Sequence, residues 1–208
     1  MNINSMNIKS MKWVIDLTTR SEQKEKRRQL ILWKALDLFV RNGYAETKIN
    51  DIAKAADMSV GLLFHYFESK EQLYEELIRI GVEGTKEPQK MEFSNPLEFF
   101  TGFLDSLFLF SSQQSWVFLM FVLVAQARRS DRTPAHIKEM AMEVDQVERS
   151  AEIIRMGQLE GIFRNGDPYA LSAAFWCSLQ GIMEQLAVTP DMPLPETEWL
   201  IDIIRSKG

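Results

Sequence analysis

Apolar positions recur at helical spacing along most of the chain, and beyond residue 85 no segment shows the two-residue alternation of a half-buried strand. Ile31, Ala35, Leu38 and Phe39 predict a helix over residues 22–42, which Gly43 stops. Ile49, Ile52, Ala53 and Ala56 then fall on one face of a short helix, with Thr47 expected as its N-cap. Asp57, Met58 and Ser59 read as a turn, because Asp tolerates a left-handed backbone and Ser59 can cap the next helix. That second short helix, over 59–66, offers Leu63 and Phe67 to grip the first, and S-K-E-Q at 69–72 is a capping box that opens a third. Further helices are expected over 96–111, 115–129, 133–161, 167–188 and 196–206, with Pro134 and Pro168 in first turns. The expected fold is all-α: a poorly ordered arm over 1–20, a three-helix unit over 21–80 and a larger helical part over 81–208.

A three-residue turn between two short helices forces a steep crossing, the helix-turn-helix arrangement that holds its second helix out to be docked into DNA. That helix is too short to be stable alone. With Leu63 and Phe67 turned inward, Val60, Gly61, Leu62, His65 and Tyr66 lie nearer the outward side, an odd set for a purely solvated face. Gly61 costs about 1 kcal/mol relative to Ala inside a helix, and close approach to another surface would justify it. Lys70 sits where the helix macrodipole disfavours a cation, and a bound phosphate would supply the reason. Arg20, Lys24, Lys26, Arg27 and Arg28 crowd the start of the first helix, within reach of backbone phosphates. The candidate DNA contacts are Arg27, Thr47, Lys48, Ser59, Val60, Gly61, Leu62, His65, Tyr66 and Lys70.

Residues 47–78, with the helix before them, resemble the DNA-binding domain of the TetR (TetR/AcrR) family of bacterial transcriptional regulators. Thr47, Ile52, Ala53, Ser59, Gly61, Leu63, Phe67, Ser69, Lys70, Glu71 and Leu73 carry the match, over about 50 residues. Asp57 stands where the family has Gly, and Phe64 where it has Tyr, which removes a hydroxyl available for a phosphate. The resemblance implies that 81–208 is a ligand-responsive and dimerisation domain, and that the protein is a repressor released from a near-palindromic operator by a small effector. Two recognition helices about 34 to 36 Å apart, or a multiple, would then read two half-sites on double-stranded DNA.

Charge fits a division of labour. The chain carries a net −5, yet residues 20–80 hold 11 Lys and Arg against 10 Asp and Glu, while 81–208 hold 11 against 18. The acidic part is therefore not the DNA surface. A single cysteine, Cys177, excludes an internal disulfide and suits a reducing cytoplasm; its apolar surroundings suggest a small core residue. The longest apolar run, 116–125, is too short for a bilayer, and the first 20 residues lack the sustained hydrophobic stretch of a signal peptide, so neither membrane nor secretion is expected.

Phe and Met crowd the central helices, mostly as core, but large flat or flexible side chains with few charges also line cavities for apolar or aromatic ligands. Phe103, Trp116, Met120, Phe121, Met140 and Trp176 are the candidate wall. Ala170, Ala173, Ala174, Ser178 and Gly181 along one side of the 167–188 helix permit close helix contact. With Trp199 and Ile203 they are the candidate homodimer interface. His136 and Glu139 with Glu143, Asp145, Glu148 and Glu152 mimic a metal-carboxylate motif, but a di-iron site needs a second Glu-x-x-His pair and the only other histidine is His65. A solvated face is the expectation, with no metal, no cofactor and no catalytic residues. The rival reading is a helical ligand- or protein-binding module that does not bind an operator.

Overall fold

A computed structural model describes residues 20–86, 93–113, 116–143 and 145–206; the expected arm over 1–20 lies outside the described residues but for Arg20. Ten helices succeed one another among them: α1 (Arg20–Asn42), α2 (Ile49–Ala55), α3 (Val60–Phe64), α4 (Lys70–Lys86), α5 (Pro96–Gln113), α6 (Trp116–Arg129), α7 (Ala135–Met142), α8 (Gln146–Leu159), α9 (Pro168–Val188) and α10 (Thr197–Ile201). No strand appears among the described residues, only an isolated bridge between Phe163 and Arg205.

Local chemistry explains most of the boundaries. Gly43 ends α1 at φ 86°, and Asp57 carries the expected left-handed turn at φ 54°. Ser59 accepts from the Leu62 N–H and Asp167 from the Ala170 N–H, with Pro168 in the first turn of α9. The single helix expected over 133–161 is instead two, because the Asp145 carboxylate accepts from the N–H groups of Val147 and Glu148 and starts α8 afresh. The last element is also shorter than expected. After Ile201 the chain turns and pairs with 162–164, where Ser206 N–H donates to the Ile162 carbonyl and Arg164 N–H to that of Ile204.

Two apolar clusters hold the helices. The first joins α1 through α4, including Ile31, Phe39, Ile52, Leu63, Tyr74 and Ile78, and draws in Met120, Leu123, Val124 and Ala127 of α6 with Ile137 and Ala141 of α7. The second is aromatic: Phe100 sits edge-on to Phe99, Phe163 and Phe175, and Trp176 meets Phe175 and Phe103. A deep polar pair here is satisfied: the Trp176 indole N–H donates to Ser150 Oγ at 2.9 Å.

Candidate nucleic-acid interface

The α3 helix has only five residues and is held from one side. Leu63 and Phe67 are buried in the first cluster, and the Arg28 guanidinium lies over the Phe67 ring at 5.1 Å while pairing with Glu76 of α4. Arg28 is thus a staple between α1, α3 and α4, unlike the exposed Lys24 and Arg27 beside it. At 100° per residue, the face opposite Leu63 and Phe67 is made by Gly61 and His65, flanked by Leu62 and Phe64. Gly61, Phe64 and His65 are exposed and Leu62 half-buried.

Val60 and Tyr66, expected on the outward side, lean on the first cluster and are half-buried. Phe64 takes their place at 47% exposure, although in sequence it stands out only for the hydroxyl it lacks. The helical wheel contains the signal, since residue 64 lies a quarter-turn from the buried Leu63. On the other flank Asn50 and Lys54 of α2 share an open depression with Asp57, Met58, Ser59 and Val60. Lys48 is exposed at the N-cap position of α2 and makes no side-chain cap bond.

Two candidates are spent inside the protein. Thr47 is not an N-cap: only 1% exposed, its hydroxyl donates to the carbonyls of Gly43 at 2.8 Å and Leu38 at 3.2 Å, tying the end of α1 to the start of α2. A hydroxyl so enclosed cannot touch DNA. Lys70 has an internal reason for its unfavourable position on the macrodipole. Its ammonium donates to the carbonyls of Tyr44 at 2.8 Å, Thr47 at 2.9 Å and Ala45 at 3.4 Å, and lies 4.3 Å from the centre of the Tyr44 ring. Burial pushes its pKa below the usual lysine value, against the opposing pull of Glu46. The phosphate expected at this residue is replaced by the loop between α1 and α2. The cap that starts α4 differs slightly too: Ser69 Oγ accepts from the Gln72 N–H, but Gln72 reaches back to the N–H of Glu68 rather than that of Ser69.

The candidate ligand wall is divided between the clusters. Phe103, Phe121 and Trp176 meet in the second, whereas Trp116, Met120 and Met140 belong to the first, with Trp116 packed on Trp33 at 4.9 Å. These six are therefore shared between two clusters that meet at Leu119 of α6. Ala170, Ala174, Ser178 and Gly181 form an exposed stripe along α9, with Ala173 and Ile203 half-buried and Trp199 62% exposed. Cys177 lies on that stripe and is exposed, not a core residue. Leu159 at the end of α8 is 87% exposed, an apolar surface residue that helical spacing does not single out. His136 lies 3.6 Å from Glu75 and 3.8 Å from Glu71, and the acids after it in sequence are solvated or, as Asp145, cap a helix. Among the described residues no single helix is long and apolar enough to cross a membrane.

The family model described as "Bacterial regulatory proteins, tetR family" matches residues 31–77, the span of α1 to α4 that builds this face. The transcriptional repressor KstR2 of Mycolicibacterium smegmatis is 28% identical over 146 residues, covering 68% of this chain and 70% of its own. The solved regulator MbdR of Azoarcus sp. CIB shares the fold at a TM-score of 0.70 and 22% identity, over 85% of this chain and 96% of its own. AibR, solved in complex with isovaleryl coenzyme A and operator DNA, does so at 0.61 and 23%, over 85% and 94%. A capped turn presents a clamped five-residue helix inside the segment that the family model matches, so residues 31–77 form a DNA-binding domain of the TetR type, and the chain is a DNA-binding transcription regulator and not an enzyme.

Proposed function

We propose that the protein is a cytoplasmic, homodimeric repressor that leaves a near-palindromic operator when a small apolar or aromatic effector binds. The observation that carries this reading is the outward Gly61–His65 face of α3, clamped by Leu63 and Phe67 and bordered by exposed Lys54 and Lys48. In this reading residues 21–80 bind DNA: Gly61, Leu62, Phe64 and His65 enter the major groove, while Ser59, Lys48, Lys54 and Arg27 meet the backbone. Residues 81–208 take the effector beside Phe103, Phe121 and Trp176, and pair two copies through the α9 stripe with Trp199. The apolar lining favours an apolar ligand.

An effector that binds both arrangements of the dimer equally would shift nothing, so its differential affinity is what empties the operator. The test is an electrophoretic shift of the promoter upstream of the gene with the purified chain, competed by the same fragment and by unrelated DNA. A shift removed only by the specific competitor is expected. No shift, or one that unrelated DNA removes equally, would leave a helical binding module without an operator.

A further inference from the structure

The outward face of α3 is short of the groups that normally read bases. From Ser59 to Glu68 the sequence has no Arg, Lys, Asn or Gln, so the bidentate contacts to guanine and adenine edges that those side chains make are not available from this helix. His65 is the one exposed hydrogen-bonding side chain at the centre of the face. What the helix does present is an apolar ring: Phe64, 47% exposed, on the edge beside Gly61. A Cβ placed at Gly61 would meet nothing within 4 Å, so no internal packing demands glycine there, and the missing side chain leaves a recess next to the ring. Cations that would hold a duplex against this face flank it: Lys54 of α2 borders the start of α3, and Lys48 stands exposed at the N-cap position of α2.

We infer that Phe64 reads a thymine, by packing its ring on the 5-methyl group in the major groove, with the Gly61 recess admitting the base edge. Each half-site of the operator therefore holds a thymine under Phe64, recognised by shape and apolar contact, not by hydrogen bonds. The methyl is the only alkyl group that any of the four bases displays in that groove, and an aromatic ring beside a recess is complementary to it. This assignment rests on the operator-binding reading above and names what that face selects.

The experiment uses the full chain and a pool of random-sequence duplexes. Rounds of selection give a preferred duplex; each thymine in it is then replaced singly by deoxyuridine, which removes the methyl and keeps the pairing, and affinity is measured by fluorescence anisotropy at fixed salt. One thymine per half-site is expected to lose about threefold to fivefold on replacement, the effect of withholding one methyl from apolar contact. In Phe64→Ala that difference falls below about 1.5-fold, while Phe64→Leu, which keeps an apolar group, retains part of it. Far-ultraviolet circular dichroism and melting establish that both variants fold. A selected duplex indifferent to every deoxyuridine, or one whose sensitivity survives in folded Phe64→Ala, overturns the thymine assignment and leaves operator binding standing. No enrichment of any duplex overturns both.

Discussion

Replacing Lys70 by Met separates an internal strut from a phosphate contact. Met keeps most of the stem and removes the ammonium, with its bonds to the Tyr44 and Thr47 carbonyls at 2.8 and 2.9 Å, its longer contact to Ala45 and its position over the Tyr44 ring. A hydrogen bond from a charged donor contributes roughly 1.5–3 kcal/mol when enclosed. Lys70 is only half-buried and the loop carbonyls it leaves are part-buried and regain water only in part, so the two short bonds and the ring contact together should be worth about 2 kcal/mol. In a chain of this size that lowers the melting temperature by roughly 4–8 °C. Affinity for DNA should weaken because the loop between α1 and α2 loosens, but the slope of log affinity against log salt should stay within about 0.3 of the parent, since no counterion is released at this residue. Lys48→Ala gives the opposite pair of results: an unchanged melting curve and a slope smaller by about 0.9. Melting and urea titrations monitored by circular dichroism, with anisotropy at several salt concentrations, measure all four quantities. A Lys70→Met protein that melts like the parent and loses nearly one unit of salt slope would refute the strut and return Lys70 to a phosphate.

Gly61→Ala should stabilise the free protein by about 0.5–1 kcal/mol, because the added methyl meets nothing and helix propensity rises, while weakening operator binding at least tenfold if the base edge needs the recess; melting and anisotropy on the same preparation check the pair. Gly81→Ala should cost about 1–3 kcal/mol, since a Cβ there would stand 2.5 Å from Val124 Cγ2 and 3.2 Å from the Met120 side chain at the crossing of α4 and α6; urea denaturation measures it, and a midpoint equal to the parent's would contradict so close a crossing.

What is legible in the sequence is what is decided within a few residues. Asp57 turns and Ser59, Ser69 and Asp167 cap because each acts on backbone at most three residues away, and a pattern can show that. Thr47 and Lys70 carry the same kinds of side chain, but their partners are set by tertiary geometry: Lys70 reaches back 23 to 26 residues, a distance at which no spacing rule operates. Asp145 shows a different failure. Asp with Glu148 three residues later is a local start signal, yet the apolar period on both sides is long enough to hide it, and the pattern predicts one helix where two form. Cys177 and Phe64 share a third cause. Both are apolar, so burial is the default expectation, although each lies about a quarter-turn round its helix from a buried neighbour, Trp176 and Leu63.

The way the two clusters meet bears on how an effector could act at a distance. Helix α6 belongs to both: Phe118 is buried in the second cluster, Met120, Leu123, Val124 and Ala127 in the first, and Leu119 packs against each. Its far end is tied to the DNA-binding helices by Gln126, whose amide donates to the Val40 carbonyl at 3.1 Å, and by Arg132 just beyond it, which pairs with Glu46 in the loop that Lys70 also holds. Alongside, Gly81 lets α4 cross α6 without a side chain between them. A close-packed interior does not deform smoothly, so a ligand wedged among Phe103, Phe121 and Trp176 that displaces α6 has no soft layer in which to lose the displacement before α1 and α4. The same α4 begins at Lys70, three residues after Phe67 anchors α3. Coupling in this fold therefore needs no long chain of intermediates: one shared helix separates the aromatic cluster from the elements that aim the recognition helix.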